Sequence, residues 1–167
     1  MRDLWLSIDF EDIAHDFKRE HGIDPDGPVR EAALWSSYEA IEAFLQRDLG
    51  GVRLTFFITG VVAAKCPGVV ARIAADGHEV GCHYHFHDPC RLDAPEVFEA
   101  NLCRAIEALE TASGRKVLGF RAPRFSLRVE DEGHFRALDR HLAYDSSLTA
   151  GTAAELDGDA ARLGLER

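Results

Sequence analysis

Residues 77–87, GHEVGCHYHFH, lead a short apolar run directly into a cluster of histidines. Glu79 to Cys82 predicts a buried strand, and the histidines follow it without an intervening helix. His83 and His87 are four residues apart, so in a helical turn their imidazoles would point the same way. Neutral imidazole is the commonest protein ligand of transition metals. The pair therefore predicts half of a metal site at the end of a strand.

Strands and helices alternate along the rest of the chain. Apolar, β-branched and aromatic runs predict strands at Leu4–Ile8, Val52–Ile58, Glu79–Cys82, Val117–Phe120 and Leu142–Tyr144. Helical spacing predicts helices at Leu34–Leu49, from Pro67 to Gly77, at Ala94–Thr111 with Asp93 as N-cap, and at residues 129–140. Residues 14–33 are rich in Gly, Pro and polar side chains and predict a long loop. This alternation predicts an α/β fold with a parallel sheet.

Length and charge limit the classes of protein to consider. The 167 residues suffice for one domain with a sizeable core, and the net charge of −10 disfavours nucleic acid and anionic membranes as partners. No stretch approaches the roughly 18–20 apolar residues of a membrane span, and no signal peptide is recognisable, so a cytoplasmic location is expected. The cysteines lack CxxC spacing and are expected to be reduced thiols: Cys66, Cys82, Cys90 and Cys103.

Chemically capable side chains follow four of the predicted strands. Asp9-Phe10-Glu11-Asp12 follows the first, the histidines the third, Arg121-Ala122-Pro123 the fourth and Tyr144-Asp145-Ser146-Ser147 the fifth. In parallel α/β folds the carboxyl ends of the strands share one edge, which carries the active site. We therefore expect a single site built from these segments.

The acidic segment can complete the metal site. Asp9 and Glu11 share a face if the strand persists, and like charges so close repel unless a cation or an arginine offsets them. His83, His87 and one carboxylate would give three protein ligands and leave a position for water, as in catalytic zinc sites.

The remaining polar side chains allow two interpretations each. Arg121 could pair with a catalytic carboxylate and keep it ionised, or lie in a surface loop. Tyr144 and Asp145 could line a pocket or cap a turn. The other histidines of the patterned segments are expected in turns, behind the ligands or in solvent: His78, His85, His134 and His141.

These motifs resemble those of the polysaccharide deacetylase family, also called the NodB homology domain or carbohydrate esterase family 4. Residues 6–12 are similar to its first motif in a spaced Asp-x-Glu/Asp-Asp form, and residues 77–87 to its His-x-x-x-His motif after a Gly-His-Glu lead. Residues 119–123 resemble its Arg-x-Pro motif and residues 144–147 a fourth motif. The matches follow the family's order over residues 4–148.

The resemblance implies a distorted (β/α) barrel with parallel strands and a divalent metal, usually zinc. It implies that Asp9 is the general base, that Arg121 pairs with it, and that the metal ligands are His83, His87 and a carboxylate from Glu11 or Asp12. Glu11 is favoured because its spacing from Asp9 resembles the Asp-x-Asp of some members. Pro123, Tyr144 and Asp145 are predicted to contact substrate.

The implied reaction is hydrolysis of an N-acetyl group on an amino sugar or saccharide, in surface polysaccharide biosynthesis. Two departures qualify the resemblance. Tyr84 replaces the family's common Ser, Thr or Gly, and no histidine after His141 matches the last motif, which protonates the leaving amine.

We accordingly expect one domain over residues 1–167 whose last barrel strands are short or missing. The alternatives are a catalytically weak metal- and saccharide-binding relative, or a metal-dependent amide hydrolase acting on a non-sugar substrate. An exposed barrel edge would be compatible with a homodimer.

Overall fold

Five short parallel strands form the sheet of this protein, whose computed structural model describes residues 5–12 and 27–148. The strands are β1 (Ser7–Phe10), β2 (Thr55–Ile58), β3 (Glu79–Cys82), β4 (Gly119–Phe120) and β5 (Tyr144–Asp145). Each strand after β1 pairs with the strand that precedes it in the chain, which gives the order β1-β2-β3-β4-β5. This sequential parallel order is that of a (β/α) barrel wall, and it confirms the predicted fold class.

Helices connect the strands and cover one side of the sheet. They are α1 (Glu31–Asp48), α2 (Gly60–Lys65), α3 (Pro67–Ala75), α4 (Pro95–Ser113) and α5 (Glu132–His141), with 3₁₀ turns at Cys90–Leu92 and Pro123–Phe125. None of the helices within the described residues is long and apolar enough to cross a membrane.

The core lies between the sheet and helix α4, which packs against α2, α3 and α5. Its buried side chains recur every three or four residues, at Phe98, Leu102, Ala105 and Leu109, as an amphipathic helix requires. β2 contributes the fully buried Phe56 and Ile58 from the sheet side. Three of the four residues of β2, from Phe56 to Ile58, are buried, and such nearly continuous burial is typical of parallel strands with helices packed on them.

The boundaries of several elements differ from the prediction. β1 lies later than the predicted Leu4–Ile8, and α1 begins at Glu31 instead of Leu34. Helix α1 thus replaces the end of the loop predicted over residues 14–33, of which residues 14–26 lie outside the described part. The predicted β3 agrees with the structure at both ends.

Helix α2 has no counterpart in the sequence prediction, which places the first helix after β2 at Pro67. Its six residues begin with Gly60, a poor helix former, and are too few to establish a helical period. The helix packs against α4, and its first turn touches the histidine segment described below.

The predicted N-cap role of Asp93 is wrong. Ala94 occupies the N-cap position of α4 and makes no side-chain capping bond. The Asp93 carboxylate instead accepts a hydrogen bond of 2.7 Å from the Tyr84 hydroxyl and one of 3.3 Å from the Asn101 amide. The Asp93 carboxylate therefore binds the buried Tyr84 hydroxyl instead of capping the helix, as its position in the sequence had suggested.

Two histidines predicted in turns or in solvent are buried. His78 accepts the Leu54 N–H at Nδ1 and approaches Glu42 of α1 at 2.9 Å through Nε2. His134 donates from Nε2 to the Asp93 carbonyl oxygen at 3.0 Å and packs against Phe98. Both rings therefore connect elements of the core, a role that the local sequence does not reveal.

The four cysteines are free thiols, as predicted. Cys66, Cys82 and Cys90 are buried, whereas Cys103 is exposed on α4. Burial raises the pKa of Cys82 to about 12, which keeps this thiol protonated and unreactive at neutral pH.

Candidate functional site

Side chains that follow β1 and β3 meet at the carboxyl edge of the sheet. Glu11, His83 and His87 each offer a ligand atom, and these atoms all lie within 4.8 Å of one another. His87 Nε2 is 2.6 Å from Glu11 Oε2, and the two imidazole rings are 5.3 Å apart. β1 and β3, which lie on either side of β2 in the sheet, thus bring together three residues from two distant parts of the chain.

The tautomer of His83 is fixed by the backbone of the loop after β4. Its Nδ1 lies 2.8 Å from the carbonyl oxygen of Arg121, so Nδ1 carries the proton and donates it. Nε2 is then the unprotonated nitrogen; it is buried and has no hydrogen-bond partner among the described residues. Burial lowers the pKa of His83, although the charge of Asp9 opposes this effect. A neutral imidazole with a free, oriented Nε2 is the form that binds a metal.

The histidine segment is a loop and not the helical turn from which its spacing was first interpreted. Tyr84 adopts φ 63°, a left-handed conformation that bulky residues rarely take. Its ring stacks on Phe98 at 5.2 Å, and its hydroxyl bonds Asp93. The Tyr84 side chain thereby holds the backbone between the two histidines.

The first turn of α2 also holds this loop. The backbone N–H groups of Gly60 and Val61 donate to the carbonyl oxygens of Tyr84 and His85, at 2.8 and 3.0 Å. His85 is buried behind the loop and its ring lies directly against Gly60. A side chain at Gly60 would therefore collide with the segment that carries the two histidines.

Arg121 and Asp9 form an ion pair beside these ligands. Arg121 Nη1 donates to Asp9 Oδ1 at 2.8 Å, and Asp9 Oδ2 lies 3.9 Å from His83 Nε2. The second Asp9 oxygen therefore faces the histidines. This is the pairing that the family resemblance implies.

Two serines hold the Arg121 guanidinium in place. Nη2 donates to the hydroxyls of Ser7 and Ser146, both at 2.9 Å, and Nε approaches the Ser146 carbonyl oxygen at 3.4 Å. The guanidinium carbon also lies 4.3 Å above the centre of the Phe57 ring. Sequence reasoning placed Ser146 in a segment expected at the site without giving it a role, and missed Ser7, although Ser7 is two positions before Asp9 and so shares its face of β1.

The structure separates Asp12 from Glu11. Asp12 is buried and points toward the start of α1, where it accepts the Arg30 N–H at 2.7 Å and the Arg30 Nε–H at 3.0 Å. Glu11 alone of the two joins His83 and His87.

The three predicted substrate contacts lie in other surroundings. Pro123 is buried at the start of a 3₁₀ turn. Tyr144 points across the sheet and donates to Glu79 at 2.9 Å, and burial raises its pKa to about 12. Asp145 accepts the Ser147 hydroxyl at 2.5 Å, and burial raises the pKa of this carboxyl group. These contacts hold the sheet and the loop after β5 together. For Asp145 they correspond to the second interpretation given for it, the capping of a turn.

A family model described as polysaccharide deacetylase matches residues 26–131. A curated relative, the peptidoglycan deacetylase-like protein FGM2 of Gibberella zeae, is 28% identical over 102 residues, which are 60% of this chain and 29% of that protein.

Solved structures give the same picture of the fold. A mutant of a Bacillus anthracis CE4 family pseudoenzyme, with restored enzymatic activity, has a TM-score of 0.64 at 16% identity and covers 87% of this chain and 44% of its own. The Bc1960 peptidoglycan N-acetylglucosamine deacetylase has a TM-score of 0.60 at 19% identity, over 84% and 55% of the two chains. The chain spans about half the length of these structures and under a third of the curated relative.

Proposed function

Because the chain belongs to the polysaccharide deacetylase family, we propose that it is a metal-dependent hydrolase that removes an N-acetyl group from an amino sugar or saccharide. The observation that carries this proposal is the position of Asp9. It lies between the guanidinium of Arg121 and the buried Nε2 of His83. A base, its positively charged partner and a set of metal-binding side chains are the groups that water-mediated amide hydrolysis needs.

The donor set fits a divalent metal, and zinc in particular. Two imidazole nitrogens and one carboxylate form a common catalytic zinc set, and the buried Nε2 of His83 needs a partner. Glu11, His83 and His87 would hold the ion, and Asp12 would not, since Arg30 binds it. The metal would act as a Lewis acid that polarises the amide carbonyl and makes water more acidic.

Asp9 is the proposed general base. Its Oδ1 is held by Arg121, which leaves Oδ2, the oxygen nearer His83, to take the proton from the attacking water. Ser7, Ser146 and the Phe57 ring keep the guanidinium from turning away. The carboxylate is therefore oriented before substrate arrives, which lowers the barrier by positioning.

A second candidate function is a metal- and saccharide-binding relative with little turnover. One structural neighbour is itself described as a pseudoenzyme. This candidate predicts saccharide binding with very slow acetate release.

The role in surface polysaccharide biosynthesis is also proposed, supported by the peptidoglycan substrates in the names of two similar proteins. Cytoplasmic location, the extent of the domain and homodimer formation stay predictions from the sequence.

The test combines metal content with acetate release. Wild type, His83→Ala/His87→Ala and Asp9→Asn are analysed for zinc and then assayed on N-acetylglucosamine oligomers and on simple non-sugar acetamides. His141→Ala is the matched control, because His141 pairs with Glu99 away from the site. We expect about one zinc per chain in wild type and in Asp9→Asn but none in the double variant, with acetate released by wild type and the control only. A metal-loaded wild type that releases no acetate from any substrate would refute the hydrolase proposal. If only the acetamides were cleaved, the proposed substrate would change from a sugar to a non-sugar amide.

A further inference from the structure

The turn after β4 contains two consecutive non-glycine residues in the left-handed region. Arg124 has φ 54° and ψ 25°, and Phe125 has φ 48°. Bulky residues adopt this conformation rarely, and it persists only where the surroundings enforce it. Strain of this kind is concentrated at ligand-binding and catalytic sites.

Hydrogen bonds on both sides hold the turn in this conformation. The backbone N–H of Phe125 donates to Ala122 and that of Ser126 to Pro123, both at 3.1 Å. The Ser126 hydroxyl accepts the N–H of Cys90 at 2.9 Å. Since Cys90 lies three residues after His87, this bond ties the turn to the end of the histidine segment.

The result is a phenyl ring at the margin of the candidate site. The Arg121 guanidinium carbon lies 5.8 Å from the centre of the Phe125 ring, and the same guanidinium binds Asp9 at 2.8 Å. The Phe125 side chain nevertheless stays exposed, at 45% of its full accessibility. The apolar residues two positions away on either side, Pro123 and Leu127, are buried, and the other exposed side chain of the turn is the charged Arg124. The turn thus presents one large apolar surface next to the proposed base.

We propose that Phe125 is a substrate-binding residue whose ring stacks on the C–H face of a pyranose. This inference rests on the proposed function and narrows its substrate to a saccharide with an accessible sugar face. A pyranose presents weakly positive C–H groups on one face, and the face of an aromatic ring is negative, so the two attract as they pack. Phenylalanine offers no hydrogen-bonding group, so its contribution depends on the ring alone.

The chemistry separates a sugar from the other candidate substrates. A small non-sugar acetamide needs the metal ligands and Asp9 but has no ring to lay on Phe125. An N-acetylated oligosaccharide has a pyranose next to the amide that reacts. When the amide lies at Asp9, that pyranose can reach Phe125, because Arg121 contacts both side chains. Phe125 would therefore affect the binding of saccharides and leave the cleavage of small amides unchanged.

The test is a comparison of Phe125→Leu, which keeps apolar volume and loses the ring, with Phe125→Trp, which keeps an aromatic face. Phe44→Leu is the matched control, because Phe44 on α1 is 48% exposed and remote from β4. Affinity for tetra-N-acetylchitotetraose is measured by calorimetry on the zinc-supplemented full chain with Asp9→Asn, and KM on the chain with Asp9 intact. We expect binding to weaken roughly three- to tenfold in Phe125→Leu, to be kept or improved in Phe125→Trp, and to be unchanged in Phe44→Leu.

Equal affinity in wild type and Phe125→Leu overturns the inference, and so does an equal loss in both Phe125 variants or the absence of any saccharide binding. The outcome is separable from that of the proposed function. If binding depends on the ring and acetate is never released, the inference stands and the hydrolase proposal fails. If acetate is released with the same KM in Phe125→Leu, the hydrolase proposal stands and the inference fails.

Discussion

His83 donates its Nδ1 proton to the backbone carbonyl oxygen of Arg121 at 2.8 Å, while the Arg121 side chain binds Asp9 at the same distance. One residue therefore orients a candidate metal ligand through its main chain and the candidate base through its side chain. Mutation of the Arg121 side chain should disturb the base and leave the tautomer of His83 in place.

Arg121→Ala is the direct test of that separation. The carbonyl oxygen remains, so the zinc dissociation constant should stay within about threefold of wild type, whereas acetate release should fall by about 10²-fold or more because Asp9 loses its partner. The measurements are zinc affinity by chelator competition and kcat on an N-acetylglucosamine oligomer. A parallel loss of zinc affinity would show that side chain and backbone act together.

Glu11→Gln and Asp12→Asn should affect different properties. Glu11 lies 2.6 Å from His87, so its replacement should weaken zinc binding at least about tenfold. Asp12 binds Arg30 at the start of α1, so its replacement should lower the thermal midpoint and leave zinc affinity near that of wild type. Chelator competition and thermal melting distinguish the two, and the reverse pattern would assign the carboxylate ligand to Asp12.

Ser146→Ala should lower kcat with little change in KM. The variant removes one charge-assisted hydrogen bond to Arg121, worth about 1.5–3 kcal/mol, but keeps the contact to the Ser7 hydroxyl. We expect kcat to fall roughly three- to thirtyfold, since the remaining bonds hold part of the orientation. Ser146→Thr should restore most of the rate, and Ser113→Ala at the end of α4 serves as a surface control. Full activity in Ser146→Ala would mean that Ser7 and Phe57 suffice.

Gly60→Ala should destabilise the protein, whereas Gly68→Ala should not. A Cβ at Gly60 would lie 2.7 Å from the Ala105 Cα and would also meet His85, whereas a Cβ at Gly68 would meet only the edge of Trp35 at 3.3 Å. Overpacking of this kind typically lowers the free energy of unfolding by about 1–3 kcal/mol. Chemical denaturation of both variants checks the difference. Since the Gly60 collision involves the histidine loop, zinc affinity should also fall in that variant alone.

The ion pair between α4 and α5 should make stability depend on acid pH. Hydrogen bonds from Arg140 and His141 lower the pKa of Glu99 from its ordinary value of 4.5 to about 2. A depressed carboxyl pKa stabilises the fold above the unfolded value, and this stabilisation is lost as the pH falls from 4.5 through about 2. Between these values the denaturation midpoint should therefore fall more in wild type than in Glu99→Gln. Glu99 is partly exposed, so added salt should reduce the difference.

The sequence predicts the fold well because its signals are local. β3 is a short segment between Gly77 and the histidines, and this position predicts its bounds as a strand correctly. The Pro at the start of α3 and α4 marks both helices in the same way. Helix α2 escapes detection because it is shorter than two turns and begins with a glycine.

The site is predictable only where its residues lie at the carboxyl ends of strands. Asp9 lies near the end of β1, and His83 and Arg121 directly follow β3 and β4, so the three share one edge of the sheet. The choice between Glu11 and Asp12 depends on Arg30, and the burial of His78 depends on Glu42, which are contacts between distant segments. The strained conformation of Phe125 likewise depends on the hydrogen bond that the Cys90 N–H donates to the Ser126 hydroxyl, which no local sequence pattern indicates.

The sequential order of the strands also determines when the parts of the site can form. Each strand pairs with one already made, so the sheet can grow from β1 onward as the chain leaves the ribosome. Glu11, His83 and His87 have all been synthesised once β3 and its loop are made, whereas the Arg121 carbonyl that orients His83 and the Arg121–Asp9 pair, whose partners lie 112 residues apart, come only with the segment after β4. The ligand side chains therefore exist before the one residue that orients both His83 and the reactive carboxylate, and the site is complete only in the longer chain.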